Sequence, residues 1–363
     1  MENSNNYVLI MAGGVGSRFW PKSRNSFPKQ FVDILGTGKS LLQYTFERFE
    51  KICLNDNIFI LTNSQYKEIV QEQLPNIPVS NILLEPSRNN TAPCLAYASY
   101  KILKTNPEAS IVVAPSDHLI LKEEYFLDKI KIALEFSKTE DSIITLGITP
   151  TRADTGYGYI KFNNNNNNNN NEICKVDSFL EKPSFEKAQE YVQSGSYLWN
   201  AGIFIWSAKT IQEAFKKHSV DIHNLFIYGM NFYNTIDEQK FINSEYQKSP
   251  NISIDFAVME KADNIYTIPA DIGWSDLGTW ASLHEILDKD ENNNTSTSNS
   301  VEFIKTENCL VDIEDGKVAV INGLQDYIIV SDKDALLIYP KSKEQEVKNV
   351  ASKVVFKYGI KYD

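Results

Sequence analysis

The 363-residue chain is poor in the residues that build metal and disulfide sites. It has four cysteines (Cys53, Cys94, Cys174, Cys309) and four histidines (His118, His218, His223, His284), and all are scattered. Without a C-x-x-C pair or a His cluster, neither a disulfide framework nor a zinc site is expected. The thiols read as reduced, which suits a cytoplasmic protein. No apolar run reaches the roughly 18 residues that would span a bilayer. Met1–Asn6 is polar and lacks the basic start of a secretion signal. A basic excess is missing too: 36 Lys+Arg stand against 47 Asp+Glu, a net charge of −11. Such a surface repels nucleic acid and anionic membranes at long range. One further absence is local. Between Glu2 and Asp33 there is no acid at all, while Arg18, Lys22, Arg24 and Lys29 lie there. That span is open to a small polyanion.

With 42% hydrophobic residues the chain can bury a sizeable core. The first half alternates strand-like runs (Tyr7–Met11, Ile58–Thr62, Asn81–Leu84, Ser110–Ala114, Ser142–Gly147) with helical patterns. The helices are expected from Ser40 as N-cap, then over Gln65–Leu74, Thr91–Thr105 and Glu124–Lys138. Strand–helix–strand alternation implies parallel strands with right-handed crossovers, and ligands then bind beyond the carboxyl ends of the strands. Further helices are expected over Phe185–Ser194, Ala208–Phe226 and Gly278–Leu287, with a strand at Ile265–Pro269. Asn292–Ser300 reads as a linker. After it come short strands at Asn308–Ile313, Lys317–Ile321, Tyr327–Ser331 and Ala335–Tyr339. The expectation is an α/β fold, a Rossmann-like, mostly parallel sheet flanked by helices, over 1–290, and a small all-β domain, β-helix-like, over 291–363. The nine-residue run Asn163–Asn171 is expected to be a solvent-exposed loop between two strands.

The strongest chemical signal is Leu9-Ile10-Met11-Ala12-Gly13-Gly14-Val15-Gly16-Ser17-Arg18-Phe19-Trp20-Pro21, continuing to Pro28-Lys29-Gln30. Glycines after a buried strand let consecutive backbone N–H groups approach phosphate oxygens. Arg18 adds a planar fork and Lys29 a point charge. The spacing is neither G-x-G-x-x-G nor the P-loop pattern, which argues against a Rossmann dehydrogenase. Asp117 follows a buried strand and Asp276 precedes a helix. Two carboxylates from distant segments suit a hard cation that keeps some water. Each also has a bland reading: a turn or N-cap for Asp117, an N-cap for Asp276. Glu181-Lys182 could equally be a surface pair, and Asn200 could serve only the backbone.

The segment resembles the sugar-1-phosphate nucleotidyltransferases, and most closely their guanylyl branch. The resemblance continues through Glu85-Pro86-Ser87-Arg88-Asn89-Asn90-Thr91-Ala92-Pro93, Ala114-Pro115-Ser116-Asp117-His118, Thr155-Gly156-Tyr157-Gly158-Tyr159, Phe179-Leu180-Glu181-Lys182-Pro183, Trp199-Asn200-Ala201-Gly202, Ser253-Ile254-Asp255-Phe256-Ala257 and Gly273-Trp274-Ser275-Asp276-Leu277-Gly278. The resemblance implies a Mg²⁺-dependent transfer of GMP from GTP to mannose 1-phosphate. It implies nucleotide contacts through Ala12, Gly13, Gly14 and Gly16, with Arg18 and Lys29 on the triphosphate and Glu85, Asn90, Thr91 and Pro93 near the base. It implies Mg²⁺ on Asp117 and Asp276, the sugar against Gly158, Glu181 and Asn200, and Lys182 facing the sugar phosphate. A homodimer is a further implication. Longer relatives append an isomerase domain for which the sequence has no room, so a single activity is expected. Two alternatives stand beside this: the same chemistry on another NTP and sugar phosphate, or a non-catalytic sensor of nucleotide sugars.

Overall fold

A computed structural model describes residues 5–162 and 172–363, so the loop expected at Asn163–Asn171 lies outside the described residues. The chain divides into two compact units. The first takes in the residues up to Gly13, Phe46–Pro115 and Ile120–Trp274; the second takes in Gly14–Thr45, Ser116–Leu119 and Ser275–Asp363. The later part of the glycine-rich turn therefore groups with the C-terminal strands.

The strands, in chain order, begin with β1 (Asn6–Met11), β2 (Ile58–Asn63), β3 (Ile82–Glu85), β4 (Ser110–Pro115) and the two-residue β5 (Leu119–Ile120). They continue with β6 (Ile143–Ile148), β7 (Tyr159–Phe162), β8 (Cys174–Leu180), β9 (Tyr197–Ser207) and β10 (Ile265–Pro269). All but β5 form one nine-stranded sheet in the first unit, in the order β3-β2-β1-β4-β9-β6-β10-β8-β7. β1 to β4, β6, β7 and β10 share one direction, and β9 and β8 run against them. The parallel, mostly doubly covered sheet expected from runs such as Ile58-Phe59-Ile60-Leu61 is present, and those four residues are buried. The carboxyl ends of β1, β3 and β4 lie at Met11, Glu85 and Pro115, immediately before or within the sequence motifs.

The helices include α1 (Leu41–Glu50), α2 (Lys67–Gln73), α3 (Thr91–Thr105), α4 (Glu123–Thr139) and α5 (Phe185–Ser194). Ser40 and Gln43 cap the start of α1 reciprocally, each side chain accepting from the other's backbone amide. The single helix expected over Ala208–Phe226 is two helices, α6 (Ala208–His218) and α7 (Val220–Gly229), followed by α8 (Glu238–Glu245). Ser219 breaks it, with φ −148° and ψ 64°, and its hydroxyl donates to the Ala257 carbonyl at 2.9 Å. No glycine or proline marks that break.

In the second unit, β11 (Trp274–Ser275) leads from the first unit into α9 (Trp280–Ile286), and the C-terminal strands then wind as parallel coils. β12 (Thr295–Ser296), β14 (Leu310–Ile313) and β16 (Tyr327–Asp332) pair in parallel, as do β13 (Val301–Ile304) and β15 (Ala319–Asn322). β17 (Ala335–Pro340) closes the larger sheet antiparallel to β16. Successive rungs bury Leu310, Ile328, Val330 and Leu337 against Phe19, Trp20, Val32, Ile34, Trp280 and Leu283. The stretch read as a linker is part of this coil: Asn294 and Thr295 are buried. Asn294 accepts from the Cys309 amide at 3.0 Å and donates to the Thr306 carbonyl at 2.8 Å. Polar residues that satisfy backbone inside a coil have the composition of a linker. The chain then forms α10 (Val347–Tyr358), which the strand spacing did not announce.

Candidate functional site

In the second unit, Gly16 adopts φ +72°, and a side chain there would meet the Lys29 Cβ at 2.4 Å. The glycine thus permits both the left-handed turn and the close approach of Lys29. Lys29 is buried, and its ammonium donates to Asp117 Oδ2 at 2.8 Å and to the carbonyls of Asp276 and Leu277, each at 2.9 Å. All three of its protons are used. Two distant segments thereby converge on a cation carried by a third. Burial pushes the Asp117 carboxyl up, but the charges of Lys29 and His118 prevail and hold it below the usual carboxylate range. Asp276 accepts from the Gly278 amide at 3.1 Å, and the N-cap of α9 is Thr279, so Asp276 does not serve as the cap. Leu277 is buried with φ +44°, a costly left-handed conformation for a branched residue.

The four cations of the acid-free span have different employments. Lys22 donates to both oxygens of the buried Asp312, at 2.9 and 2.7 Å. Arg24 is buried and pairs with Asp334 at 2.8 Å. Lys29 pairs with Asp117. Only Arg18 has an exposed side chain and makes no hydrogen bond or ion pair among the described residues. The span is therefore mostly a structural seam with β14, β16 and their turns. Lys29, expected on the triphosphate, is instead buried with all three protons bound to Asp117 and the Asp276 turn, and of the four cations just Arg18 faces outward. Gly14 is exposed, with no atom within 4 Å of where a side chain would begin.

In the first unit, Ala12 extends β1: its amide donates to the Leu61 carbonyl at 2.7 Å, and its carbonyl accepts from the Thr62 hydroxyl at 2.8 Å. Glu85, at the end of β3, brings Oε1 to within 3.6 Å of a side chain built on Gly13. Burial pushes the Glu85 carboxyl up to about 7, against the hydroxyl that Tyr246 donates to it and the charge of Arg88. Asn90 is the N-cap of α3 with φ +66°, and Thr91 Oγ1 accepts from the Ile254 amide at 2.9 Å. Pro93 is buried in the first turns of α3. These three motif residues therefore have local structural work.

A second cluster in the first unit joins Gly158, Glu181 and Asn200. A side chain on Gly158 would stand 2.5 Å from Glu181 Oε2 and 3.3 Å from the Asn200 Cβ, so this glycine makes room for both. Asn200 Oδ1 accepts from the Thr145 hydroxyl at 3.0 Å and from the Gly202 amide at 3.1 Å, and its Nδ2 donates to Asp255 Oδ1 at 3.1 Å. Lys182 is exposed, has φ +47° and reaches Glu181 at 2.8 Å. Burial and the charge of Glu181 push the Asp255 carboxyl up to about 6. Asp255 belongs to the motif Ser253-Ile254-Asp255 yet was not among the expected site residues. Its orienting contact with Asn200 has no signature in one sequence.

Among the described residues no group of three or more His, Cys, Asp or Glu side chains is placed to hold a metal. The donor chemistry of Asp117 and Asp276 nevertheless fits a hard divalent ion whose remaining ligands are phosphate and water. The Lys29 ammonium already puts a cation against Asp117 and the Asp276 backbone. No helix among the described residues is long and apolar enough to cross a membrane.

A Rossmann-like sheet whose glycine-rich first turn is followed by a Lys–Asp–Asp convergence matches known proteins over nearly the whole chain. A family model, nucleotidyl transferase, matches residues 7–293, and a second, the MannoseP isomerase/GMP-like beta-helix domain, matches 299–354. The chain is 39% identical over 352 residues to a mannose-1-phosphate guanylyltransferase of Salmonella montevideo, covering 95% of this chain and 73% of that protein. It is 36% identical over 364 residues to mannose-1-phosphate guanylyltransferase 2 of Escherichia coli O157:H7, covering 98% and 74%. Among solved structures, a Thermus thermophilus protein described as a mannose-1-phosphate geranyltransferase superimposes with a TM-score of 0.87 at 28% identity, covering 96% of this chain and 99% of that one. The chain belongs to the nucleotidyl transferase family, among the mannose-1-phosphate guanylyltransferases. Nucleotidyltransferases of this kind generally use a divalent metal.

Proposed function

We propose that the protein transfers GMP from GTP to α-mannose 1-phosphate, releasing pyrophosphate and forming GDP-mannose. The observation that carries this reading is the convergence of Lys29, Asp117 and Asp276 behind the glycine-rich turn, in a chain of this family. An oxygen of the sugar phosphate attacks the α-phosphorus of GTP in line, and the bond to pyrophosphate breaks. A phosphate monoester has a second pKa of about 6, so the nucleophile is already anionic near neutrality and needs no general base. Catalysis is then positioning and charge neutralisation.

The backbone of Ala12, Gly13, Gly14 and Gly16 approaches the nucleotide phosphates, and the outward-facing Arg18 stabilises the charge that builds on the leaving pyrophosphate. Glu85, with Asn90, Thr91 and Pro93 around the start of α3, lies toward the base. Glu181 and Asn200, with the space left by Gly158, bind sugar hydroxyls, and Lys182 offsets repulsion between the two anionic substrates. Asp117 and Asp276 hold the divalent ion, taken as Mg²⁺, which when bound neutralises phosphate charge. Lys29 keeps their segments together. The same reading has the enzyme in the cytoplasm as a homodimer, acting without nucleic acid or membrane. The matched family spans support a catalytic domain over 1–290 and a β domain over 291–363.

The test is pyrophosphate release by purified protein given GTP, mannose 1-phosphate and Mg²⁺, with the other NTPs and other hexose 1-phosphates in parallel. Highest kcat/KM for GTP with mannose 1-phosphate is expected. Release with no pair of substrates overturns the reading.

A further inference from the structure

The turn that carries Asp276 is held at several points. Upstream, Ser275 Oγ accepts from the Leu277 amide at 3.1 Å, and Lys29 takes the carbonyls of Asp276 and Leu277. Downstream, Thr279 and Ser282 cap α9 reciprocally, at 3.2 and 3.0 Å. One more contact comes from far along the chain. Glu344, in the short helical turn Lys341–Glu346 after β17, accepts from the Ala281 amide through Oε2 at 2.7 Å and also engages the Thr279 side chain. Glu344 is half-buried, and the charge of Arg18 acts on it. The backbone two residues before Thr279 needs bracing. Leu277 sits at φ +44°, and a residue in that region persists only when its surroundings over-determine it.

We propose that Glu344 is a positioning residue for catalysis: by fixing the first turn of α9 it fixes the Asp276 turn, so the C-terminal coil contributes a side chain on which the reaction depends. The inference rests on the role proposed above for Asp276. Ala281 has one of the unpaired amides at the start of a helix, and a carboxylate there satisfies it while favouring the helix dipole. Both effects act on the segment just beyond Asp276.

The experiment compares Glu344→Ala, which removes the acceptor, with Glu344→Gln, which keeps an oxygen for the Ala281 amide and loses the charge. Glu344→Ala is expected to lower kcat about tenfold while the KM for mannose 1-phosphate stays within about twofold. It is also expected to weaken Mn²⁺ binding to the GTP-bound protein about tenfold, read by electron paramagnetic resonance. Glu344→Gln is expected to restore kcat to within about threefold of the parent. An unchanged kcat in Glu344→Ala overturns the proposal. So does equal impairment of the two variants, because the hydrogen bond is then not what matters. If Glu344→Ala does not fold, Glu344→Asp, one methylene shorter, takes its place with the same expected losses. A parent protein that releases no pyrophosphate fails the proposed function instead, and the Mn²⁺ measurement still reads the contribution of Glu344.

Discussion

Lys29 and Asp117 meet at 2.8 Å, and the lysine that makes this pair is almost fully buried. The same ammonium holds two consecutive carbonyls of the Asp276 turn. Replacing it with Met leaves Asp117 and both carbonyls without their donor. Lys29→Met is expected to cost about 3 kcal/mol of stability and to abolish pyrophosphate release. The pH dependence has a definite sign. The Asp117 carboxyl is held below its ordinary range, so its stabilising effect is present above the unfolded carboxylate pKa and is lost as pH falls through the lowered one. Urea unfolding between about pH 2 and pH 5 should show a shallower acid-side decline in Lys29→Met than in the parent.

Arg18 separates binding from folding. It is exposed and makes no ion pair among the described residues, so Arg18→Ala should leave the melting temperature unchanged, within about 0.5 kcal/mol of stability. The same substitution should lower kcat at least about tenfold, a loss of about 1.4 kcal/mol in the transition state. A kcat within twofold of the parent removes Arg18 from the leaving-group role.

Two glycines of one turn should answer differently to alanine. At Gly16 the positive φ, and the Lys29 Cβ already filling the place of an added methyl group, make Gly16→Ala destabilising, by about 1–3 kcal/mol. At Gly14 there is open space, so Gly14→Ala should keep the parent's melting temperature and, on the proposed function, raise the KM for GTP about tenfold, because the methyl group would then stand where phosphate is proposed to approach. Thermal melts and initial rates on both variants decide the point.

Glu85 has the opposite sign from Asp117. Its carboxyl is pushed up to about 7, so the favourable state is the protonated one. The stability it contributes is fully present below the unfolded pKa, near 4.5, and is lost as pH rises through about 7. Glu85→Gln, which keeps the shape and a hydrogen bond to Tyr246, should remove most of that loss. Chemical unfolding at pH 5 and pH 8 should differ by up to about 3 kcal/mol less in the variant.

Much of this is legible in the sequence, and the reasons differ by element. β2 and β10 can be bounded to within a residue because buried strands are short, apolar and flanked by polar turns. α5 is bounded by Ser184 as cap and Gly195 at φ +65°. The break between α6 and α7 cannot be read, because Ser219 leaves the helical region to reach a carbonyl of a distant segment. The coil around Asn294 reads as a linker for the same reason: its polar side chains bond to backbone that lies next to them only after folding. The motifs single out the candidate site residues, but not their division of labour. Four cations in an acid-free span look like one phosphate cradle. The acids that neutralise Lys22 and Arg24, Asp312 and Asp334, lie some 290 and 310 positions further on.

Those two ion pairs also set terms for engineering and for descent. Lys22 and Arg24 follow directly on the glycine-rich turn, and each is matched to a carboxylate of the C-terminal coil. A chimera that grafts a foreign coil onto this catalytic half would leave a buried arginine and a bidentate lysine facing whatever residues arrive there. Asp312 and Asp334 therefore act as a compatibility code: a coil without acids at those two places leaves Lys22 and Arg24 without their carboxylates.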